Sequence, residues 1–230
     1  MQIGGLQKTS LLDYPDKISA IIWTIGCNFN CPFCYNPQLV KGDIDIIPED
    51  EILSFLKTRE GMLEGLSISG GEPLLQKDIV DFIKSVKKMR YLVKIDTNGM
   101  YPEKLQELID HELVNYIAMD VKAPKDKYNK LTGVKTNVKK IEKSIELIKK
   151  SGLEYEFKTT FVPDLLKKED IIKIAQWLDK SKKYYLQQFK VNTPLISSPL
   201  EKISPYPKEY IVETYNEIQK YFKECQIRGV

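Results

Sequence analysis

Short β-branched runs alternate with amphipathic helical stretches almost from one end of this chain to the other, and few architectures tolerate that rhythm. The runs Ile18–Thr24, Leu66–Ser69, Leu92–Asp96, Val114–Val121, Tyr155–Val162 and Tyr184–Phe189 read as strands. Between them apolar residues recur at helical spacing, as in Ile79, Phe82, Ile83 and Val86, or Val138, Ile141, Ile145 and Ile148. Pro48 and Pro102 stand where first-turn prolines belong. A last helical stripe is expected through Ile211, Tyr215, Ile218, Phe222 and Cys225. The segment Gln2–Pro15 has the length and pattern of a hairpin. Six strand-then-helix units predict an α/β fold with a parallel sheet, either an open doubly wound sheet or an incomplete barrel.

The unusual residues all follow strands. Cys27-x-x-x-Cys31-x-x-Cys34 comes after the first, Gly70-Gly71-Glu72-Pro73 after the second, Asp96-Thr97-Asn98-Gly99 at the third, and Met119-Asp120-Val121-Lys122 at the fourth. Carboxyl ends of parallel strands share one face, where such folds carry their chemistry, and a curled sheet would make these residues converge. No linker or low-complexity tract divides the 230 residues, so one domain is expected, with an N-terminal hairpin (1–17), a barrel (18–190) and a C-terminal loop and helix (191–230). Asn36–Pro48 and Val191–Pro207 are the segments expected to be mobile over that face. The basic stretch Lys122–Lys140 reads as a solvated loop.

A net charge of +3 argues for neither a nucleic-acid partner nor a membrane surface. No apolar run approaches the roughly 20 residues that span a bilayer, and the N-terminus carries no basic-then-apolar leader, which points to the cytoplasm.

In such a reducing compartment clustered thiols suggest a metal. Cys27, Cys31 and Cys34 lie in one loop with Gly26, Pro32 and Pro37, while Cys225 sits far away on the expected helical stripe, where it packs. The single histidine, His111, falls between a helix and a strand and reads as a surface residue. Three thiolates can wrap a 4Fe–4S cube and leave one iron open, and an open iron can bind a small molecule. Structural zinc would want four closed ligands, and the loop offers no evident fourth.

The cysteine spacing, followed by Gly70-Gly71-Glu72-Pro73, resembles the signature pair of radical S-adenosylmethionine enzymes. Leu12-Asp13-Tyr14-Pro15 and the loop from Gly26 to Pro37 are similar to the glycyl-radical-enzyme activating enzymes, of the anaerobic ribonucleotide reductase and pyruvate formate-lyase activating type. The resemblance runs from about residue 3 to residue 190 and implies a partial (β/α)6 TIM-like barrel, open laterally. It also implies that Cys27, Cys31 and Cys34 hold three irons while the amino and carboxylate groups of S-adenosylmethionine chelate the fourth. Phe33 would pack on the adenine, with backbone of Phe33, Cys34 and Tyr35 at its edge. Gly70 and Gly71 would let backbone approach the methionine amine, and Glu72 would receive that ammonium. Asp120, Val121 and Lys122 would also contact the cofactor. Asp96, Thr97 and Asp120 match residues that hold a monovalent cation beside it. Two positions depart from the activases: Tyr35 and Leu186-Gln187-Gln188-Phe189 stand where those enzymes often carry histidine.

The implied activity is reductive cleavage of S-adenosylmethionine to a 5′-deoxyadenosyl radical, which takes a hydrogen atom from the glycine loop of a partner glycyl radical enzyme. A flavodoxin- or ferredoxin-like protein would supply the electron. Two other readings stand beside it: a radical enzyme acting on a small molecule, such as a deazapurine precursor, and a zinc-stabilised binding module.

Overall fold

The computed structural model of the chain describes residues 1–191 and 193–230. Its elements in order are β1 (Ile3–Ser10), β2 (Ser19–Thr24), α1 (Pro37–Lys41), α2 (Glu49–Thr58), β3 (Gly65–Gly70), α3 (Ile79–Lys88), β4 (Leu92–Thr97) and α4 (Pro102–Asp110). There follow β5 (Tyr116–Asp120), α5 (Tyr128–Thr132), α6 (Val138–Lys150), β6 (Glu154–Phe161), α7 (Lys168–Trp177), β7 (Ser181–Gln188), α8 (Lys208–Ile218) and β8 (Phe222–Arg228). The six strands read from the sequence are all present, as β2 to β7.

Local chemistry sets the helix ends. α4 starts on Pro102, at a position whose N–H has no helical partner in any case. α6 starts after Asn137, whose side chain accepts the Lys139 N–H at 3.2 Å. α5 stops at Gly133, in the left-handed region at φ +69°. α3 buries Ile79, Phe82, Ile83 and Val86 along one stripe. Each such side chain contributes about 1.5–3 kcal/mol by leaving water, and Phe82→Ala would cost about 3–5 kcal/mol.

The strands lie in chain order in one eight-stranded sheet with β1 and β8 at its ends, so the sheet does not close. β1 runs antiparallel to β2, while β2, β3 and β4 are parallel, as are β6, β7 and β8. The chain forms two compact units. The first comprises Met1–Asn28, Gln38–Thr97 and Tyr101–Ala118, the second Phe29–Pro37, Asn98–Met100 and Met119–Val230. In the first, Ile22, Leu66, Ile68, Phe82 and Ile95 form the core, and Tyr14 packs on Tyr116 with ring centroids 5.9 Å apart. In the second, Tyr128, Ile141, Phe157, Phe161, Ile174 and Leu186 are buried together with the ring of Tyr184.

Three expectations change. The N-terminal segment supplies one strand that pairs with β2, from Ile3 opposite Thr24 to Ser10 opposite Ser19, in place of a self-contained hairpin. The last helix stops at Ile218, and Phe222–Arg228 is a strand parallel to β7. Ile218, Phe222 and Cys225 do have helical spacing, but a 3-10 turn at Gln219–Tyr221 redirects the chain. Backbone pairing with β7 and stacking of Phe222 on Tyr184, at 4.5 Å, then outweigh a weak local preference. The basic stretch Lys122–Lys140 is built structure: a 3-10 turn at Lys125–Lys127, then α5 and the start of α6. Lys125 pairs with Glu142 and Lys127 with Asp170. Asn36–Pro48 carries α1, and Ile47 bridges to Ile3. In Val191–Pro207, Asn192 lies outside the described residues, and Ser198–Lys202 forms a 3-10 turn.

Candidate functional site

In the first unit β3 ends on Gly70, at φ +131°, a conformation that L side chains avoid. A Cβ there would stand 2.2 Å from the Thr24 nitrogen and 2.4 Å from its oxygen. Gly71 donates its N–H to the Thr24 carbonyl at 2.9 Å, and a Cβ on it would lie 2.0 Å from the Gly26 oxygen. The same Gly26 oxygen accepts the Glu72 N–H at 2.8 Å. The chain leaving β3 is thus laid backbone to backbone on the chain that leads from β2 into Cys27. Gln76 holds the join from below, donating from Nε2 to the Ile25 carbonyl at 2.7 Å and accepting the Gln2 N–H at 3.1 Å.

The Glu72 carboxylate is fully buried. Its Oε1 accepts from the Thr97 hydroxyl at 2.8 Å and from the Leu74 N–H at 3.1 Å. On β4, Lys94 and Asp96 are two residues apart and so share a face; Lys94 Nζ lies 2.9 Å from Asp96 Oδ2, and both residues are buried. Tyr101, just before α4, has its phenol pushed above the usual range, first by burial and then by the negative charges of Glu72 and Cys27. The sequence reading missed Gln76, Lys94 and Tyr101. Only Lys94 left a signal, because the two-residue period of a strand puts it on the face of Asp96.

In the second unit the Phe29–Pro37 loop rests on α5. The Asn30 N–H donates to the Thr132 carbonyl at 2.8 Å, and a Cβ on Gly133 would meet the Asn30 oxygen at 2.3 Å. The stretch expected to be solvated is therefore the bearing on which the cysteine loop sits. The Pro32 carbonyl accepts the Ser197 N–H at 2.9 Å, and Cys34 turns back on the Cys31 carbonyl at 3.0 Å. The Asn36 N–H donates to Cys34 Sγ at 3.4 Å. Phe33 is buried. Tyr35 stacks on Phe189 with centroids 6.3 Å apart, and its hydroxyl accepts the Lys190 N–H at 2.9 Å. Gln188 donates to the Tyr206 carbonyl at 2.7 Å, which ties the end of β7 to the loop before α8.

The end of β5 is locked to β6. The Val121 N–H donates to the Lys158 carbonyl at 2.9 Å and the Val121 carbonyl accepts the Thr159 hydroxyl at 2.8 Å. Beside it the Asp120 carboxylate lies 3.3 Å from Lys122 Nζ and 3.8 Å from Lys158 Nζ. Burial pushes the Cys31 thiol up to about 11; the Lys122 ammonium works against that rise, while Cys34 and Asp120 add to it. Burial opposes the Lys122 charge, but Asp120, Cys31 and Cys34 hold its pKa above the ordinary lysine value. Cysteine sulfurs are the usual ligands of iron–sulfur clusters, and the Lys122 ammonium favours the thiolate that such a ligand needs, so the donor chemistry of this loop fits iron. Among the described residues, no three His, Cys, Asp or Glu side chains are gathered as a single metal ion would need them. Cys225 lies on β8, its thiol pushed up to about 12 by burial.

Of the residues singled out from the sequence, Cys27, Gly70, Gly71, Glu72, Asp96 and Thr97 fall in the first unit. Cys31, Phe33, Cys34, Tyr35, Asp120, Val121 and Lys122 fall in the second.

Residues 21–180 match the Radical SAM superfamily. The chain is 35% identical, over 99% of its length and 96% of the relative's, to a Methanocaldococcus jannaschii protein provisionally named as a glycyl-radical enzyme activating enzyme. It is 26% identical to the pyruvate formate-lyase-activating enzyme of Clostridium pasteurianum, over 76% of this chain and 74% of that one. The crystal structure of Streptococcus suis SuiB bound to precursor peptide SuiA shares the fold, with a TM-score of 0.66 and 16% identity over 90% of this chain; the chain spans 47% of SuiB. The chain belongs to the radical SAM superfamily, enzymes that use a 4Fe–4S cluster and S-adenosylmethionine. That membership replaces the reading as a zinc-stabilised binding module. No helix among the described residues is long and apolar enough to cross a membrane.

Proposed function

We propose that this enzyme generates a glycyl radical on a partner glycyl radical enzyme. The observation that carries the reading is the 35% identity, along nearly the whole of both chains, to the Methanocaldococcus jannaschii relative. The similarity to the Clostridium pasteurianum enzyme supports it.

In this reading Cys27, Cys31 and Cys34 hold the cluster. When bound, the reduced cluster and S-adenosylmethionine together supply a 5′-deoxyadenosyl radical, which abstracts a hydrogen atom. The chain's own work is placement. Gly70 and Gly71 bring bare backbone to the methionine end, since no side chain fits at either position. Glu72 receives the cofactor's ammonium: its carboxylate is buried and is held at Oε1 by Thr97 and Leu74. Phe33 faces the adenine, with the backbone of Cys34 and Tyr35 at its edge. Asp120, Val121 and Lys122 also contact the cofactor in this reading, and the lock between Val121 and β6 holds that segment in place. Lys122 adds a positive charge near Cys31 that favours its thiolate. A low-potential flavodoxin- or ferredoxin-like protein delivers the electron, and the substrate enters as an extended glycine-bearing loop.

The test is anaerobic reconstitution with iron and sulfide, reduction, and incubation with S-adenosylmethionine and each glycyl radical enzyme from the same source. A glycyl doublet in the electron paramagnetic resonance spectrum is expected with one of them. Release of deoxyadenosine without a doublet on any partner would move the assignment to a small-molecule substrate. Replacing Cys27, Cys31 or Cys34 by Ala should lower the bound iron and abolish deoxyadenosine release.

A further inference from the structure

We propose that Lys94 is a built-in cation for Asp96, taking the place of the exchangeable monovalent ion that the resemblance to the activating enzymes implies at Asp96, Thr97 and Asp120. Each of these three residues has a partner within its own unit. The Asp96 carboxylate is met by Lys94 Nζ at 2.9 Å. The Thr97 hydroxyl gives its hydrogen to Glu72 at 2.8 Å. The Asp120 carboxylate lies between two ammonium groups, Lys122 at 3.3 Å and Lys158 at 3.8 Å. A free ion seated against Asp96 would stand a few ångströms from a fixed ammonium with little water between them, and like charges in that setting exclude one another.

The placement of Lys94 is built. β4 is buried along most of its length, and Lys94 pairs in register with Ser67 of β3, inside the sheet, where only 5% of its surface is accessible. A lysine is expensive to bury without a partner, and Asp96, two residues on along the same face, supplies one. The tether is covalent and short, so the charge is present at every salt concentration. An exchangeable ion would instead have to be recruited from solution, and its occupancy would follow its concentration.

Asp96 is a cofactor-side residue only on the proposed function, but the ion pair itself does not depend on that reading. The test therefore has two readouts. The first is the thermal midpoint of the full metal-free chain at constant ionic strength, in tetramethylammonium chloride and then with K⁺ or Na⁺ replacing the bulky cation. The second is the dissociation constant of S-adenosylmethionine for the reconstituted enzyme under the same salts. The native protein should show neither a midpoint shift nor an affinity change with K⁺ or Na⁺. Lys94→Met should gain both, with the midpoint rising by about 5 °C at saturating cation. The double variant Lys94→Met with Asp96→Asn, which has no charge to compensate, should lose that response again.

A saturable K⁺ or Na⁺ response in the native protein would overturn the proposal, and so would a folded Lys94→Met protein that ignores both ions. If Lys94→Met does not fold, the native titration decides alone. Failure of the reconstituted enzyme to bind S-adenosylmethionine at all would sink the functional reading and leave the midpoint measurement standing.

Discussion

Glu156 on β6 and Arg228 at the end of β8 form a two-pronged ion pair, Nη1 to Oε1 at 2.8 Å and Nη2 to Oε2 at 3.0 Å. To make it, the guanidinium lies over the Tyr185 ring of the intervening strand β7, 3.3 Å from its centroid. One side chain thus clamps three parallel strands. Glu156 is 2% exposed, and Arg228→Ala would leave a buried carboxylate without its fork. Because the arginine keeps 38% of its side-chain exposure, the loss should fall at the low end for a broken buried pair, about 3 kcal/mol. Urea unfolding of the two proteins measures it. Arg228→Lys should recover only part of the loss, since an ammonium cannot make both bonds or stack as a plane.

Gly71→Ala should be more damaging than a methyl group suggests. Its Cβ would sit 2.0 Å from the Gly26 oxygen, where backbone rather than a movable side chain is in the way. The strain should cost about 2 kcal/mol or more, a fall of roughly 4–8 °C in Tm for a chain of this length. Because Gly26 leads directly into Cys27, bound iron should fall as well. A folded Gly71→Ala protein with full iron would contradict the role given to this join.

Glu72→Gln separates charge from shape. The amide oxygen still accepts from Thr97 and Leu74, so stability should change by no more than about 1 kcal/mol. Binding of S-adenosylmethionine should weaken at least about tenfold, the loss of one charged hydrogen bond. Thr97→Val does the reverse. It removes a donor from a buried carboxylate and should cost about 1–3 kcal/mol of stability. Equilibrium dialysis and chemical denaturation read the two effects independently.

Burial holds the Cys225 thiol at about 12, against 9.0 for a free cysteine side chain. At pH 8 its thiolate fraction is lower by about three orders of magnitude, partly offset by the greater nucleophilicity of a more basic sulfur, so alkylation should lag a free thiol by about 30-fold. Iodoacetamide labelling of the metal-free protein followed by peptide mass spectrometry checks this. Fast labelling of Cys225 would show that β8 opens readily.

Much of the candidate site was legible because its motifs are local. Three thiols in eight residues, two adjacent glycines after a strand, and Asp-Thr-Asn-Gly at a strand end are short patterns, and each lies at the end of the strand predicted for it. β8 was not legible, since Phe222 and Cys225 satisfy a helical stripe as well as a strand and only pairing with β7 decides between them. Neither was the 3-10 turn that leads into α5, whose Lys125 and Lys127 look like solvent-facing charge until Glu142 and Asp170 are brought to them.

The sequence alone determined the alternation of strands and helices, the donor atoms of the cysteine loop and the bare backbone of Gly70 and Gly71, because periodicity, ligand spacing and the conformational freedom of glycine act within a few residues. The tertiary structure alone decided which charge meets which: Arg228 on Glu156, Lys158 beside Asp120, the Thr132 carbonyl under Asn30. Those partners are dozens of residues apart in the chain, and Coulomb attraction and hydrogen bonding depend on distance in space. Lys94 marks the boundary. Its strand face could be read from the period of two, but that its ammonium would claim Asp96 required a strand buried deeply enough to leave that carboxylate as its counter-charge.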